Sequence, residues 1–214
     1  MSTFSTLSNL SPDELSRAKR FHFEKERFNF VRCRSALRSL LSRYLGIAPK
    51  DLCFEYQRGG KPELAAQQNP RGLQFSVSHS SRMALIAVSA GHRIGVDIEK
   101  ESADVDVIAL AEHCFSTGEL AALRALPDAL RQVAFFACWT RKEAFLKAIG
   151  EGLSFPLAEF SVTINPDLAP ALEEIRGDRE AGNQWFLADL SVASGYRAAV
   201  AVESSYSRLE TYTL

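Results

Sequence analysis

Several common kinds of protein are excluded by what this sequence lacks. No uninterrupted apolar run approaches the roughly twenty residues that a membrane-spanning helix needs. The stretch from Met1 to Ser11 has no basic-then-apolar signal pattern, so a cytoplasmic protein without a membrane partner is expected. Cysteine is scarce: Cys33, Cys53, Cys114 and Cys138 lie far apart, in no Cys-x-x-Cys pair and with no matching histidine spacing. That argues against a zinc site or a disulfide framework and for buried thiols in a reducing compartment. No P-loop, kinase motif set or dinucleotide-binding glycine fingerprint is present. Internal repeats and low-complexity segments are missing as well.

What remains is an ordinary globular composition. The chain has 214 residues, 46% apolar and 24% charged, enough for one substantial core or two small ones. The net charge of −1 conceals an asymmetry. Nine basic residues (Arg17, Lys19, Arg20, Lys25, Arg27, Arg32, Arg34, Arg38, Arg43) face two acidic ones (Glu24, Glu26) between Arg17 and Arg43. From Glu151 onward there are four basic and ten acidic residues. The basic segment suggests an anionic partner, whether nucleic acid, a phosphorylated small molecule or an acidic protein, or else a solvated helix face.

Along the chain, Ser11-Pro12-Asp13-Glu14 has the form of a helix start. A long helix is expected from about Glu24 to Tyr44, ended by Gly46 and Pro49. Leu52 to Tyr56 is a strand candidate, and Arg58-Gly59-Gly60-Lys61-Pro62 a glycine-rich turn with two cations. Strands are expected over Leu73–Ser78, Met83–Ser89 and Arg93–Glu99. The short turns between them imply successive reversals, with the first and third strands parallel. Val107 to Cys114 reads as a helix. Phe115-Ser116-Thr117-Gly118-Glu119 has the shape of a capping box that leads into Leu120–Ala125. The aromatic-rich helix from about Ala129 to Ile149 ends at Gly150. Later strands are expected at Phe160–Ile164, Trp185–Leu190 and Tyr196–Val202. Helices followed by strands in each half indicate an α+β fold of two lobes, residues 1–100 and 101–214.

Two stretches carry the chemistry. Alternation on the third strand sends Val96 and Ile98 to one face and Asp97 and Glu99 to the other, where two acids repel unless a cation lies between them. On the helix, Glu143 and Lys147 stand one turn apart on one face, close to Lys142. Hard carboxylate oxygens suit Mg²⁺, and neighbouring lysines suit a polyphosphate or pyrophosphate. Three readings fit: a transferase acting on a phosphoanhydride, a Mg²⁺-dependent phosphohydrolase or nucleotidyl transferase, and a non-catalytic module that binds an acidic partner.

Phe75-Ser76-Val77-Ser78-His79-Ser80, Gly95-Val96-Asp97-Ile98-Glu99-Lys100, Phe115-Ser116-Thr117-Gly118-Glu119 and Trp139-Thr140-Arg141-Lys142-Glu143-Ala144-Phe145-Leu146-Lys147-Ala148-Ile149-Gly150 resemble the Sfp-type 4′-phosphopantetheinyl transferases in content, order and separation. The resemblance runs from about Leu10 to Val162. It implies a monomer of two pseudo-symmetric α+β lobes with a nucleotide bound between them. The implied activity is Mg²⁺-dependent transfer of the phosphopantetheine arm of coenzyme A to a serine of an acyl or peptidyl carrier protein, releasing 3′,5′-ADP. Nucleic acid is not an implied partner. Asp97, Glu99 and Glu143 would hold Mg²⁺, and Glu143 would also activate the serine hydroxyl. Lys147 would contact the pyrophosphate. Lys142 would lie on phosphate or serve as a rival base. Ser78 and His79 would bind phosphates, and Lys61 and Pro62 would lie near the adenine, with Arg58 as the basic residue upstream. Arg17, or in its place Lys19 or Arg20, would meet the 3′-phosphate.

Overall fold

A computed structural model describes residues 6–57, 60–205 and 208–213. Its contacts divide the chain into two compact units, residues 1–56 with 62–73 and residues 57–61 with 74–214.

In the first unit, helix α1 (Pro12–Ala18) begins where the Glu14 carboxylate accepts from the Ser11 backbone N–H at 3.1 Å. Helix α2 (Glu24–Leu45) ends at Gly46, whose φ of +70° is a backbone setting that glycine adopts freely. Strands β1 (Phe54–Tyr56) and β2 (Pro62–Leu64) pair antiparallel. The basic run on α2 is not one solvated face. Arg38 is buried, bonded through Nε to Glu14 at 2.6 Å and through its other nitrogens to Pro49 O, Leu52 O and Ser11 Oγ. Burying a guanidinium requires acceptors for most of its five N–H groups, and four are matched here.

The second unit is built on β3 (Leu73–Ser80), β4 (Met83–Ala90), β5 (Ile94–Lys100), β9 (Tyr196–Val202) and helix α5 (Asp128–Ile149). Between them come α3 (Val107–Cys114), α4 (Thr117–Ala125), β6 (Phe160–Val162), β7 (Leu172–Ile175), α6 (Arg179–Gly182) and β8 (Phe186–Asp189). The capping box is as expected, with Ser116 Oγ accepting from Glu119 N and the Glu119 carboxylate from Ser116 N. β7 and α6 have no counterpart in the sequence reading. No helix among the described residues is long and apolar enough to cross a membrane.

The three consecutive strands do not form one meander. β3 and β4 pair with each other, whereas β5 bonds antiparallel to β9, and β9 to β8. β5 is therefore tied to strands near the C-terminus. The parallel direction of β3 and β5 does hold, but it is carried by side chains. Val96 N, Ile98 N and Lys100 N donate to the hydroxyls of Ser76, Ser78 and Ser80 at 3.1, 3.4 and 3.0 Å. Every second residue of β3 thus supplies an acceptor to the free edge of β5.

Helix α5 is buried on most sides, as its aromatic content implies. Phe135, Phe145 and Leu146 enter the main core with Phe115, Phe155, Phe160 and Leu187. The helix also lies directly on β5. A Cβ built on Gly95 would stand 1.9 Å from Ala144 O and 2.4 Å from Ala148 N, both backbone atoms. Gly95→Ala should therefore destabilise the protein by about 3 kcal/mol, the upper end of the overpacking range. Gly118→Ala, where nothing comes closer than 4.0 Å, should be neutral or slightly stabilising. Denaturant melts of the two variants measure the difference.

Candidate active site

Asp97 lies mid-strand on β5 and is 2% exposed. Its Oδ1 accepts from Ser78 Oγ at 2.8 Å and from Lys147 Nζ at 2.6 Å, so β3, β5 and α5 meet at one oxygen. Lys147 Nζ also donates to Ser78 Oγ at 2.9 Å. The other oxygen, Asp97 Oδ2, is buried and accepts no hydrogen bond from any described residue. Two residues along, Glu99 accepts from Ser80 Oγ at 2.8 Å.

Glu143 belongs to the same group electrostatically. Burial pushes its carboxyl above the usual carboxylate range, and the charges of Asp97 and Glu99 push it further, against the pull of Lys147. Glu99 is raised for the same reasons, burial first and Asp97 next, opposed by its Ser80 hydrogen bond, Lys147 and His79. Glu143 and Lys147 are four residues apart on α5, and Lys147 reaches Asp97 while Glu143 feels the charges of Asp97 and Glu99.

The donor set fits Mg²⁺. Asp97, Glu99 and Glu143 offer hard oxygens, are short of positive charge, and include one buried carboxylate oxygen without a hydrogen-bond partner among the described residues. No group of three histidine, cysteine or carboxylate side chains among the described residues is arranged as a ready-made metal site. Mg²⁺ does not need one, because it is usually bound through one or two carboxylates, with substrate phosphates and water completing its shell.

Two family descriptions match the chain: "4'-phosphopantetheinyl transferase superfamily" over residues 93–201 and "4'-phosphopantetheinyl transferase, N-terminal" over residues 2–91. The chain is 39% identical to 4'-phosphopantetheinyl transferase HetI of Nostoc over 195 residues, which covers 91% of this chain and 79% of that protein. This chain belongs to the 4′-phosphopantetheinyl transferase superfamily. It is also 28% identical to 4'-phosphopantetheinyl transferase Sfp of Bacillus subtilis, over 91% of this chain and 82% of that one. A human relative, L-aminoadipate-semialdehyde dehydrogenase-phosphopantetheinyl transferase, is 27% identical over 91% of this chain and 67% of its own length.

The other candidate residues have the following surroundings. Lys142, expected on phosphate or as a rival base, has a fully buried side chain. Its ammonium donates to both Glu119 oxygens at 2.8 and 2.7 Å and to Phe160 O at 2.6 Å, and it lies 4.2 Å from the centre of the Phe160 ring. An ammonium has three donors, and all three are used. Arg141 is likewise buried and forks onto Asp189 at 2.8 and 2.6 Å. Lys61 donates to Ile94 O and Ala148 O at 3.2 and 3.3 Å, joining the start of β5 to the C-terminal end of α5. Pro62 opens β2, paired with Tyr56. His79 is exposed on β3, and its charge reaches Glu99. Arg17, exposed on α1, lies over the Phe30 ring at 5.2 Å, while Lys19 and Arg20 are also exposed. Arg58 lies outside the described residues.

Sequence reasoning passed over Ser76 and Ser80, which hold the edge of β5, and the partnership of Glu119 with Lys142. The alternation Ser76-Val77-Ser78-His79-Ser80 was the available signal for the first. Nothing local signals the second, because its partners are 23 residues apart.

Two outcomes follow from these environments. Lys142→Met should cost about 3–5 kcal/mol, since it strands the Glu119 charge in the core. Adding Glu119→Gln should recover part of that loss, and a double-mutant cycle in denaturant reads the recovery. The second concerns Glu143, whose raised carboxyl makes its ionised form unfavourable in the metal-free fold, so that its contribution is best at low pH and lost as pH rises through the folded value. Glu143→Gln should accordingly raise the melting temperature at neutral pH. The gain should shrink on acidification, where the native glutamate is itself protonated. Thermal melts from pH 4 to 8 without divalent metal test this, and a pH-independent difference would refute it.

Proposed function

We propose that this transferase moves the 4′-phosphopantetheine arm of coenzyme A to a serine of an acyl or peptidyl carrier protein, releasing 3′,5′-ADP, and that it requires Mg²⁺. The observation that carries this reading is the meeting of Asp97, Ser78 and Lys147 at one buried carboxylate oxygen, with Glu143 and Glu99 in its field. Asp97, Glu99 and Glu143 would hold Mg²⁺, which when bound supplies Lewis-acid neutralisation of the diphosphate charge.

The chain's own residues do the rest. Glu143 takes the proton of the attacking serine hydroxyl, directly or through water, the role a positioned carboxylate plays in such transfers. The serine oxygen forms a bond to the pantetheine-linked phosphorus while the bond from that phosphorus to the bridging oxygen breaks. The electron pair leaves on 3′,5′-ADP. Lys147 supplies positive charge to the phosphate oxygens, and Ser78 and His79 flank them from β3. Lys61 stiffens the junction of β5 and α5 in this reading, and Lys142 anchors the far side of the helix. Arg17, with Lys19 and Arg20 beside it, remains the proposed partner of the 3′-phosphate. The proposed setting is a cytoplasmic monomer.

Incubation with coenzyme A, Mg²⁺ and an apo carrier protein should add one phosphopantetheine to the carrier, read by intact mass. Nucleotide hydrolysis without carrier gain would favour a phosphohydrolase instead. Asp97→Ala should abolish transfer. Glu143→Gln should lower kcat by about 10²–10⁴-fold with little change in the KM for coenzyme A, as removal of a general base does. An effect confined to KM would assign Glu143 to binding alone.

A further inference from the structure

Lys147 is given to a phosphate of the nucleotide in the reading above, yet in the protein alone it is already engaged. Its Nζ lies 2.6 Å from Asp97 Oδ1 and 2.9 Å from Ser78 Oγ. This is no surface ion pair: the Asp97 side chain is 3% exposed and that of Lys147 32%. Pairs buried to this degree are weakly screened by salt. The same carboxylate keeps Oδ2 buried and unpartnered among the described residues. Glu143 and Glu99 add two more negative charges nearby, with Lys147 the cation common to both. A divalent cation drawn to these oxygens therefore meets an ammonium already bonded to the most buried of them.

We propose that Lys147 is a resident counter-ion that holds Asp97 against a lone divalent cation and releases it when a diphosphate offers the ammonium another acceptor. Metal and nucleotide then bind as a coupled pair, and metal does not load first. This rests on the assignment of the carboxylates to a metal and of Lys147 to phosphate. The chemistry of the side chain suits the exchange. A lysine carries a compact charge on a flexible four-carbon stem with rotatable donors, so it can change acceptors without moving the helix. Ser78 is placed to survive the exchange, since its hydroxyl donates to Asp97 independently of its contact with Lys147.

The test uses Mn²⁺ as a paramagnetic stand-in, with free ion counted by electron paramagnetic resonance, on the full chain as wild type, Lys147→Met and Lys100→Met. Lys100 is exposed and adjacent to Glu99, so its loss removes a nearby charge without touching Asp97. Without nucleotide, Lys147→Met should bind Mn²⁺ about ten- to a hundredfold more tightly than wild type, the usual range for coupled sites. Lys100→Met should stay within about threefold, as expected of a screened surface charge. Adding coenzyme A should raise the Mn²⁺ affinity of wild type more than that of Lys147→Met. If Lys147→Met binds Mn²⁺ no more tightly than wild type in the absence of coenzyme A, or if Lys100→Met matches it, the proposal is overturned while the metal reading stands. If no variant takes up Mn²⁺ even with coenzyme A present, both are overturned. Lys147→Gln makes the same comparison should the methionine variant fail to fold.

Discussion

The backbone of β5 approaches α5 so closely at Gly95 that a single added carbon would overlap the peptide groups of Ala144 and Ala148. That approach sets the positions of the site residues. Two residues after Gly95 the strand presents Asp97, and the helix turn just beyond Ala144 presents Lys147, so strand and helix bring opposite charges within 2.6 Å. A bulkier residue at position 95 would have to push the helix away, and side-chain repacking would not restore that distance. Lys61 reinforces the junction by bonding Ile94 O and Ala148 O, one carbonyl from each element.

A strand that carries two acids and lies under a buried helix needs its edges satisfied. β9 supplies a full antiparallel ladder on one side. On the other, β3 offers hydroxyls in place of carbonyls, and this has a chemical consequence. A backbone carbonyl only accepts, whereas a serine hydroxyl can accept from the β5 N–H and donate onward. Ser78 and Ser80 do both, receiving Ile98 N and Lys100 N and donating to Asp97 and Glu99. Ser76, Ser78 and Ser80 thus hold the strand, and the last two also orient its carboxylates. Replacing the serine edge with an ordinary ladder would keep the fold and lose the donors.

Much of this was legible in the sequence, and the limits of legibility have physical causes. The long helices, the glycine stops at Gly46 and Gly150 and the capping box at Ser116 follow from local rules, and the structure reproduces them. So does the sharing of one face by Glu143 and Lys147, because helical spacing is a local quantity. Strand partnership is not local. The order β5–β9–β8 joins segments about a hundred residues apart, and a short-loop argument assigns β5 to β4 instead. The small elements β7 and α6 are four residues each, too short for periodicity to register. Long-range charge pairing was equally hidden: Arg38 with Glu14 and Lys142 with Glu119 are pairs made only by tertiary packing.

The adjacent Lys142 and Glu143 show why a motif's spacing must be read through geometry. Neighbours on a helix point about 100° apart, whereas residues four apart nearly align. Lys147 therefore meets the carboxylate strand with Glu143 on its own helix face, and Lys142 turns away into the core, where Glu119 and Phe160 O consume every donor it has. Arg141, a further step round, reaches Asp189 and Thr163 O. Three consecutive charged residues thus serve three environments, and only one of them joins the site. The two buried cations are matched by acceptors from α4, β6, β8 and the segment after β6, so α5 is fixed in rotation from several sides. That fixed rotation presents Glu143 to the carboxylate cluster with its charge partly uncompensated. A helix free to turn would relieve the repulsion by moving the glutamate toward water. Held in place, Glu143 keeps the raised proton affinity that burial and the Asp97 charge give it in the metal-free fold, and the cluster stays short of positive charge.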